Sequence, residues 1–455
     1  DGKDIYMNKF KIAFCVRDQE YTDTIENVIQ IMNLDKDKFE FCLISENPVD
    51  TIFRNISISQ EILKIDLNQE VTLDEKIWKN KEIYKADPSF VMKKKSINAN
   101  DQKNFILASR SIINNNKFDL MFSGAAAHMI WTIPHLVSVE SDRLAYKLLY
   151  SDYLNPRNES YRLWFCADLY WDINYKSEFD FNWDKQSLNH HINNLKESML
   201  KENYNLASRA MAQSENYTPT KWFNILKNLI NFLFQRDYIS WLRLNSYINS
   251  LRNKKFYTNI SDVKDNFILY PLNQPYDEQL LVRGSNFVDT FKNIDLILRN
   301  LPTNFKLVVK EHPVNPGMLS YRKIKQLKKS YNNLVFINPN VPIRDIIKKS
   351  NGLITINSTS GIEALFCSKK IIVLGESYYR YNNMVFTPNS EEELKMNILE
   401  LTKDYNFDFN ETNLMIENLL KQSYPIPNSN ILKEETKIFD FISEALKYKI
   451  LQIKR

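Results

Sequence analysis

Apolar positions along this chain recur at two periods, and the alternation between them predicts the fold. Residues 9–17 (KFKIAFCVR) are a short apolar run with strand character, and the segment after them brings Ile25, Val28, Ile29 and Met32 onto one side at helical spacing. A second strand is predicted over 39–44 (FEFCLI) and a helix over 101–114. FDLMFSG, Phe118 to Gly124, predicts a strand ending in a glycine turn, and AAAHMIWTIPHLVSVE a helix followed by a short strand at 135–139. Strands alternating with helices imply a parallel sheet with right-handed crossovers.

From about 176 to 262 the strand pattern gives way to helical stretches rich in Asn, Lys and aromatic residues. The alternation then resumes with a strand at Asn266–Leu272, a helix at 285–300 and a strand at Phe305–Pro313. A helix at 319–330, the strand NLVFIN, a short helix at 342–349, the strand Gly352–Ser358, the helix GIEALFCS and the strand Lys369–Gly375 complete it. The expected organisation is a Rossmann-like domain over 7–175, a helical insertion or bridge over 176–262 and a second doubly wound α/β domain over 263–455 that ends in helices. The first six residues, DGKDIY, precede Met7 and are set aside from the fold.

Composition narrows the function. The chain has 455 residues, 44% of them hydrophobic, which suits packed domains and excludes a disordered chain. The net charge of +5 is too small for a dedicated nucleic-acid binder, so no nucleic-acid partner is expected. Cys15, Cys42, Cys166 and Cys367 are widely spaced, which argues against a disulfide framework and a zinc site. No apolar run reaches the length of a membrane helix, and no signal-peptide core precedes the first strand, so a cytoplasmic protein is expected. Only 7 glycines occur, and Gly317, Gly352, Gly361 and Gly375 fall in one stretch, where unusual backbone geometry is expected.

In an open α/β sheet, ligands bind outside the carboxyl ends of the strands. Three loops of the second half qualify: PLNQPYDEQ (Pro271 to Gln279), containing Gln274; KEHPVNPG (Lys310 to Gly317); and NSTSGIEAL (Asn357 to Leu365). In the third, Asn357, Ser358, Thr359 and Ser360 stand where a strand turns into a helix, so hydroxyls and free backbone N–H groups converge on an anion. Glu363, one turn in, either faces the ribose hydroxyls of a nucleotide or closes a capping box on Ser360. In the second loop, His312 presents an imidazole at the same edge beside Pro313, with Lys310 and Glu311 on opposite faces of the strand end. His190 and His191 read as solvated, His135 as packing, and His128 as a lesser candidate in the first domain.

PLNQPYDEQ, then KEHPVNPG with Tyr321, then VPIRDIIKKSNGLITINSTSGIEAL and VLGESYY resemble the bacterial capsule polysaccharide synthesis family, which includes Kdo (3-deoxy-manno-octulosonic acid) transferases. The resemblance covers about 267–380. It implies a GT-B-like fold, two Rossmann-like domains facing a cleft, with no essential metal or other cofactor and a CMP-activated sugar bound by the C-terminal domain. It also implies that His312 and Pro313 form an HP motif at the nucleotide phosphate, joined there by Ser358, Thr359 and Ser360. The family's acidic residue in the N-terminal domain is followed by glycine; here Glu140 is followed by Ser141, and Asp142 and Asp18 are the other carboxylates considered as catalytic.

Residues 221–255 hold seven basic residues against one acidic residue, Asp237, with Trp222, Phe223, Phe232, Phe234, Tyr238, Trp241 and Tyr247 interleaved. Such a segment suits either an interface with anionic lipid or a helix pair packed on the domains. The combined expectation is a glycosyltransferase at the inner membrane face, moving Kdo from CMP-Kdo to a lipid-linked saccharide acceptor. The competing readings are a CDP-glycerol-type polyol phosphotransferase and a non-catalytic nucleotide- or glycan-binding subunit.

Overall fold

The computed structural model describes residues 9–78, 81–91, 97–124, 127–151, 160–166, 185–200, 238–264, 266–274, 277–313, 316–427 and 435–454. The chain divides into two units, 1–188 with 418–455, and 189–417.

In the first unit, strand β1 (Phe10–Val16) leads into helix α1 (Gln19–Met32). The Asp18 side chain accepts from Tyr21 N–H at the start of α1, and Asn33 ends it in the left-handed region at φ 44°. Strands β2 (Phe39–Ser45) and β3 (Arg54–Ser57) follow, then helix α2 (Ala99–Asn116), opened by a reciprocal capping box between Asn98 and Asp101. Strand β4 (Leu120–Gly124), helix α3 (Met129–Glu140) and strands β5 (Leu144–Ser151) and β6 (Ser160–Cys166) complete this stretch.

Here the structure corrects one expectation. Residues 135–139 are not a strand but the second half of α3. Met129 through Ser138 are all buried, so the helix lacks the polar face that makes helical periodicity visible, and it carries Pro134 inside it. The run HLVSV therefore imitates a buried strand.

The second unit contains helix α4 (Tyr238–Asn253), strand β7 (Tyr257–Thr258), strand β8 (Phe267–Pro271), helix α5 (Thr290–Asn300) and strand β9 (Lys306–Lys310). Helix α6 (Tyr321–Ser330), strand β10 (Leu334–Ile337), helix α7 (Ile343–Lys349), strand β11 (Gly352–Thr355) and helix α8 (Ser360–Phe366) follow. Strands β12 (Ile371–Val373) and β13 (Val385–Phe386) end the sheet. The chain then returns to the first unit with strand β14 (Ser423–Pro427) and helix α9 (Glu435–Lys454).

That return corrects the expected boundary at 263–455. β14 pairs antiparallel with β6, and α9 lays Leu446 and Ile450 into the core that contains Ile25, Val28, Ile29 and Met32 of α1. The first sheet has the order β14-β6-β5-β4-β1-β2-β3 and the second β13-β12-β11-β8-β9-β10-β7. Pairing is parallel except for β5–β6 and β6–β14. Each unit is thus a Rossmann-like, parallel-rich doubly wound sheet.

The expected bridge over 176–262 is helical where it is described, at Lys185–Leu200 and α4; the basic aromatic residues at 221–237 lie outside the described residues. α4 packs on the second unit: Ser246 Oγ donates to the carbonyl of Pro316 at 2.8 Å and Asn253 Nδ2 to that of Leu319 at 3.0 Å. Its outer side leaves Trp241, Ile248 and Leu251 exposed beside Arg252. Among the described residues, no helix is long and apolar enough to cross a membrane.

Candidate functional site

The order of the second sheet decides where its site lies. β8 is central, β9 and β10 are laid down on one side of it and β11 to β13 on the other, so the direction of winding reverses between β8 and β11. The crevice at the carboxyl ends beside such a reversal is where open α/β sheets bind ligands. β11, β8 and β9 are neighbours, and the three loops singled out in the sequence are the ones that leave them. Asn273 Nδ2, in the first loop, donates to Oδ1 of the buried Asn357 in the third at 2.7 Å, tying the two together across the reversal. Gln274 is half-buried next to Asn273, and its carbonyl accepts from Asp277 N–H at 3.3 Å.

The third loop is held from within. Ser358 N–H donates to Thr355 Oγ1 at 3.0 Å, and both the N–H and the hydroxyl of Ser360 reach Ser358 Oγ, at 3.3 and 3.0 Å. Tyr379 Oη donates to the Ser358 carbonyl at 2.5 Å. Its ring lies against Gly361, where a Cβ would stand 2.5 Å from that hydroxyl, so glycine is required by close approach. Thr359 has helical backbone angles, and its side chain makes no capping bond. Glu363 does not close a capping box on Ser360. It is buried beneath the loop, where burial pushes its carboxyl up to about 7 against the opposing pull of Arg344 and Lys310.

The second loop stands on two consecutive buried residues. Lys310 Nζ donates to the Pro339 carbonyl at 2.7 Å, and burial pushes it down to about 8 despite Glu363 and Glu311. Glu311 Oε2 accepts from Gly317 N–H at 2.5 Å, and its carboxyl is pushed up to about 7 by burial. His312 follows, half-buried, pushed down to about 4 by burial and then by Lys310, so the imidazole is neutral at neutral pH. It opens on a cavity of about 290 Å³ shared with Asn273, Thr290 and Phe291, and Pro313 is half-buried beside it.

In the first sheet the winding reverses between β1 and β4, and a cleft of about 660 Å³ opens at that carboxyl edge. Its walls include Arg17, Asp18, Glu46, Asp87 and His128. Asp18 is therefore at the ligand edge. Burial opposes its ionisation, but the Tyr21 N–H and the Arg17 guanidinium hold its carboxyl below the usual range. His128 is pushed down by burial, against the pull of Asp87.

Glu140 and Asp142 are placed elsewhere. Because α3 runs antiparallel to the strands, Glu140 at its last turn and Asp142 just before β5 sit at the amino-end edge of the sheet. Glu140 is paired there with Arg110 at 2.8 Å, and Asp142 is exposed in the turn at φ 54°. The expectation that Glu140 follows a strand and stands at the carboxyl edge is thus corrected, the cause being the helical state of 135–139.

Asp87 was not singled out in the sequence. It accepts from Met129 N–H at 2.9 Å and so caps α3 across 42 positions of sequence, a contact that no local spacing announces. His190 is exposed and His135 is fully buried, as expected, whereas His191 is half-buried and not on the open surface. Among the described residues, no group of three or more His, Cys, Asp or Glu side chains is arranged to hold a metal ion.

The family described as "Capsule polysaccharide biosynthesis protein" matches residues 188–393. Among curated proteins, FixF of Sinorhizobium fredii is 27% identical over 148 residues, covering 32% of this chain and 35% of FixF. The capsule polysaccharide export protein KpsS of Escherichia coli is 28% identical over 121 residues, 25% of this chain and 31% of KpsS. The capsule polysaccharide modification protein LipB of Neisseria meningitidis serogroup A is 34% identical over 82 residues, 17% of this chain and 20% of LipB. The matched segments thus span about a third or less of these relatives' own length.

Solved structures similar to this chain include KpsC of Thermosulfurimonas dismutans, a beta Kdo 2,7 transferase. It is 13% identical, with 77% of this chain and 90% of that chain covered and a TM-score of 0.33. The UDP-GlcNAc 2-epimerase of Neisseria meningitidis bound to UDP-GlcNAc is 12% identical over 97% of this chain and all of that one, at a TM-score of 0.26. Residues 188–393, the part of the chain that matches this family, carry β8, β9 and β11 and the three loops that leave them.

Proposed function

We propose that the protein is a glycosyltransferase of capsule or related surface-glycan synthesis, moving Kdo from CMP-Kdo to a lipid-linked saccharide acceptor. The observation that carries this reading is the meeting of Asn273, His312, Asn357, Ser358 and Ser360 at the reversal of winding in the second sheet. These are hydrogen-bonding groups suited to a phosphate.

Transfer breaks the bond between the anomeric carbon and the phosphate oxygen, and the phosphate leaves with the bonding pair. His312 and the Ser358 and Ser360 hydroxyls stabilise the charge that develops there, with Lys310 beneath them, in a metal-independent reaction. The acceptor hydroxyl forms the new bond and gives up its proton to a carboxylate. We assign that role to Asp18, since it is the one of the three carboxylates considered that stands at a carboxyl edge.

The exposed side of α4, with Trp241, Ile248 and Arg252, suits contact with an anionic bilayer at the inner membrane face. Sedimentation with anionic liposomes that weakens as salt rises supports this contact, and salt-independent or absent binding removes it.

A thermal-shift panel of CMP, CDP, UDP, GDP and ADP tests the donor. Stabilisation by CMP alone agrees with a CMP-linked sugar. A shift with CDP moves the assignment to polyol phosphate transfer, and no shift with any nucleotide contradicts a nucleotide-dependent enzyme.

A further inference from the structure

We propose that Glu311 is a positioning residue for His312: its buried carboxyl group ties Gly317 to the end of β9 and thereby fixes where the imidazole stands. The proposal adds a residue to the donor reading above and rests on it only for its consequence in binding.

The clamp has three parts. First, Glu311 is 2% exposed, and its Oε2 takes the Gly317 N–H at 2.5 Å, so the two limbs of the loop are joined directly. Second, the far limb is seated on α4. Gly317 has φ 82°, and a Cβ there would lie 2.1 Å from the Ser246 carbonyl oxygen, while Pro316 and Leu319 offer their carbonyls to Ser246 and Asn253. Third, Tyr257 of β7 and Asn253 at the end of α4 face the same carboxyl group.

The neighbouring anchor is independent of this one. Lys310, one residue back, is fixed to the Pro339 carbonyl beyond β10. His312 therefore follows two consecutive buried side chains tied to different elements. The ionisable and polar groups facing Glu311 are Lys310 of β9, Tyr257 of β7 and Asn253 of α4. Burial pushes the Glu311 carboxyl up to about 7, against the opposing pull of the Gly317 N–H and Lys310.

The test reads the imidazole itself. Histidine-labelled full-length protein is titrated by NMR, with His312 assigned by the loss of its signal in His312→Asn. In wild type and in Glu311→Gln, which keeps an oxygen for Gly317 N–H, His312 titrates at about 4. In Glu311→Ala the tie to Gly317 is lost, and His312 titrates close to the ordinary value of about 6.5. Glu311→Met fills the same space with no acceptor and gives the same shift, which keeps the test valid where the alanine variant does not fold.

Folded Ala or Met variants whose His312 titration does not move would overturn the proposal, even if their melting temperature falls. The same variants should bind CMP about tenfold or more weakly, and Glu311→Gln within about threefold of wild type. If wild type binds no nucleotide at all, the donor reading fails while the His312 titration still decides the positioning role.

Discussion

At the scale of residues, the second unit buries ionisable groups that a surface-exposed site would leave in water. Glu363 illustrates the consequence. Its folded carboxyl titrates at about 7 where an unfolded one titrates near 4.5, so the folded state holds the extra proton between those values. Its contribution to stability is complete below about pH 4.5 and is lost as pH rises through 7. Melting temperatures measured from pH 5 to 8 should therefore fall less steeply in Glu363→Gln than in wild type, by about a few degrees over the range. Equal slopes would mean that Glu363 is ionised throughout.

Asp18 gives the second residue-scale prediction. Asp18→Asn keeps a good N-cap for α1 while removing the charge, so the fold should survive and sugar transfer should fall about 100-fold or more with CMP affinity retained. Glu140→Gln breaks only the pair with Arg110 at the opposite edge and should leave turnover within about twofold. Loss of turnover in the Glu140 variant alone would reverse this assignment. The residue types at the second unit's edge were legible because short loops keep them next to their strands. Asp87 and the partners of Glu311 were not, because each acts on a segment distant in sequence.

At the scale of elements, what could be read depended on how each element is buried. α1 shows its inner face as Ile25, Val28, Ile29 and Met32 and was legible in full. α3 is buried nearly all round and was half mistaken for a strand, which displaced the expected catalytic carboxylate to the wrong edge. The loop before α8 was legible as a turn from strand to helix, but its internal bonds from Ser360 to Ser358 and from Tyr379 to the Ser358 carbonyl were not.

These bonds make a control necessary for that loop. Replacing Ser358, Thr359 and Ser360 together by Ala should weaken CMP about tenfold or more and leave the weaker binding of cytidine nearly unchanged, since the hydroxyls act on phosphate. Calorimetric titration of both ligands checks this. Equal losses for nucleotide and nucleoside would show that the change had only loosened the start of the helix.

At the scale of the whole molecule, two alternations of strand and helix were enough to predict two parallel-rich units, because each strand and its crossover helix follow one another in sequence. The return of the chain at β14 and α9 was not legible. Nothing local marks Leu446 and Ile450 as belonging with α1 rather than with the preceding sheet, and only the antiparallel edge β6 provides the place where β14 pairs. The two units share one plan, each with its crevice where the winding reverses. We propose that the second of these crevices holds the phosphate of a cytidine nucleotide through His312.

Calorimetric titration of CMP into wild type and His312→Ala, both shown to be folded by circular dichroism, tests that claim most directly. A neutral imidazole donating to a charged phosphate contributes about 1.5 to 3 kcal/mol, so the account predicts saturable binding by wild type and a loss of roughly 10- to 150-fold in the variant. CMP affinity that is the same in a folded His312→Ala protein would contradict it.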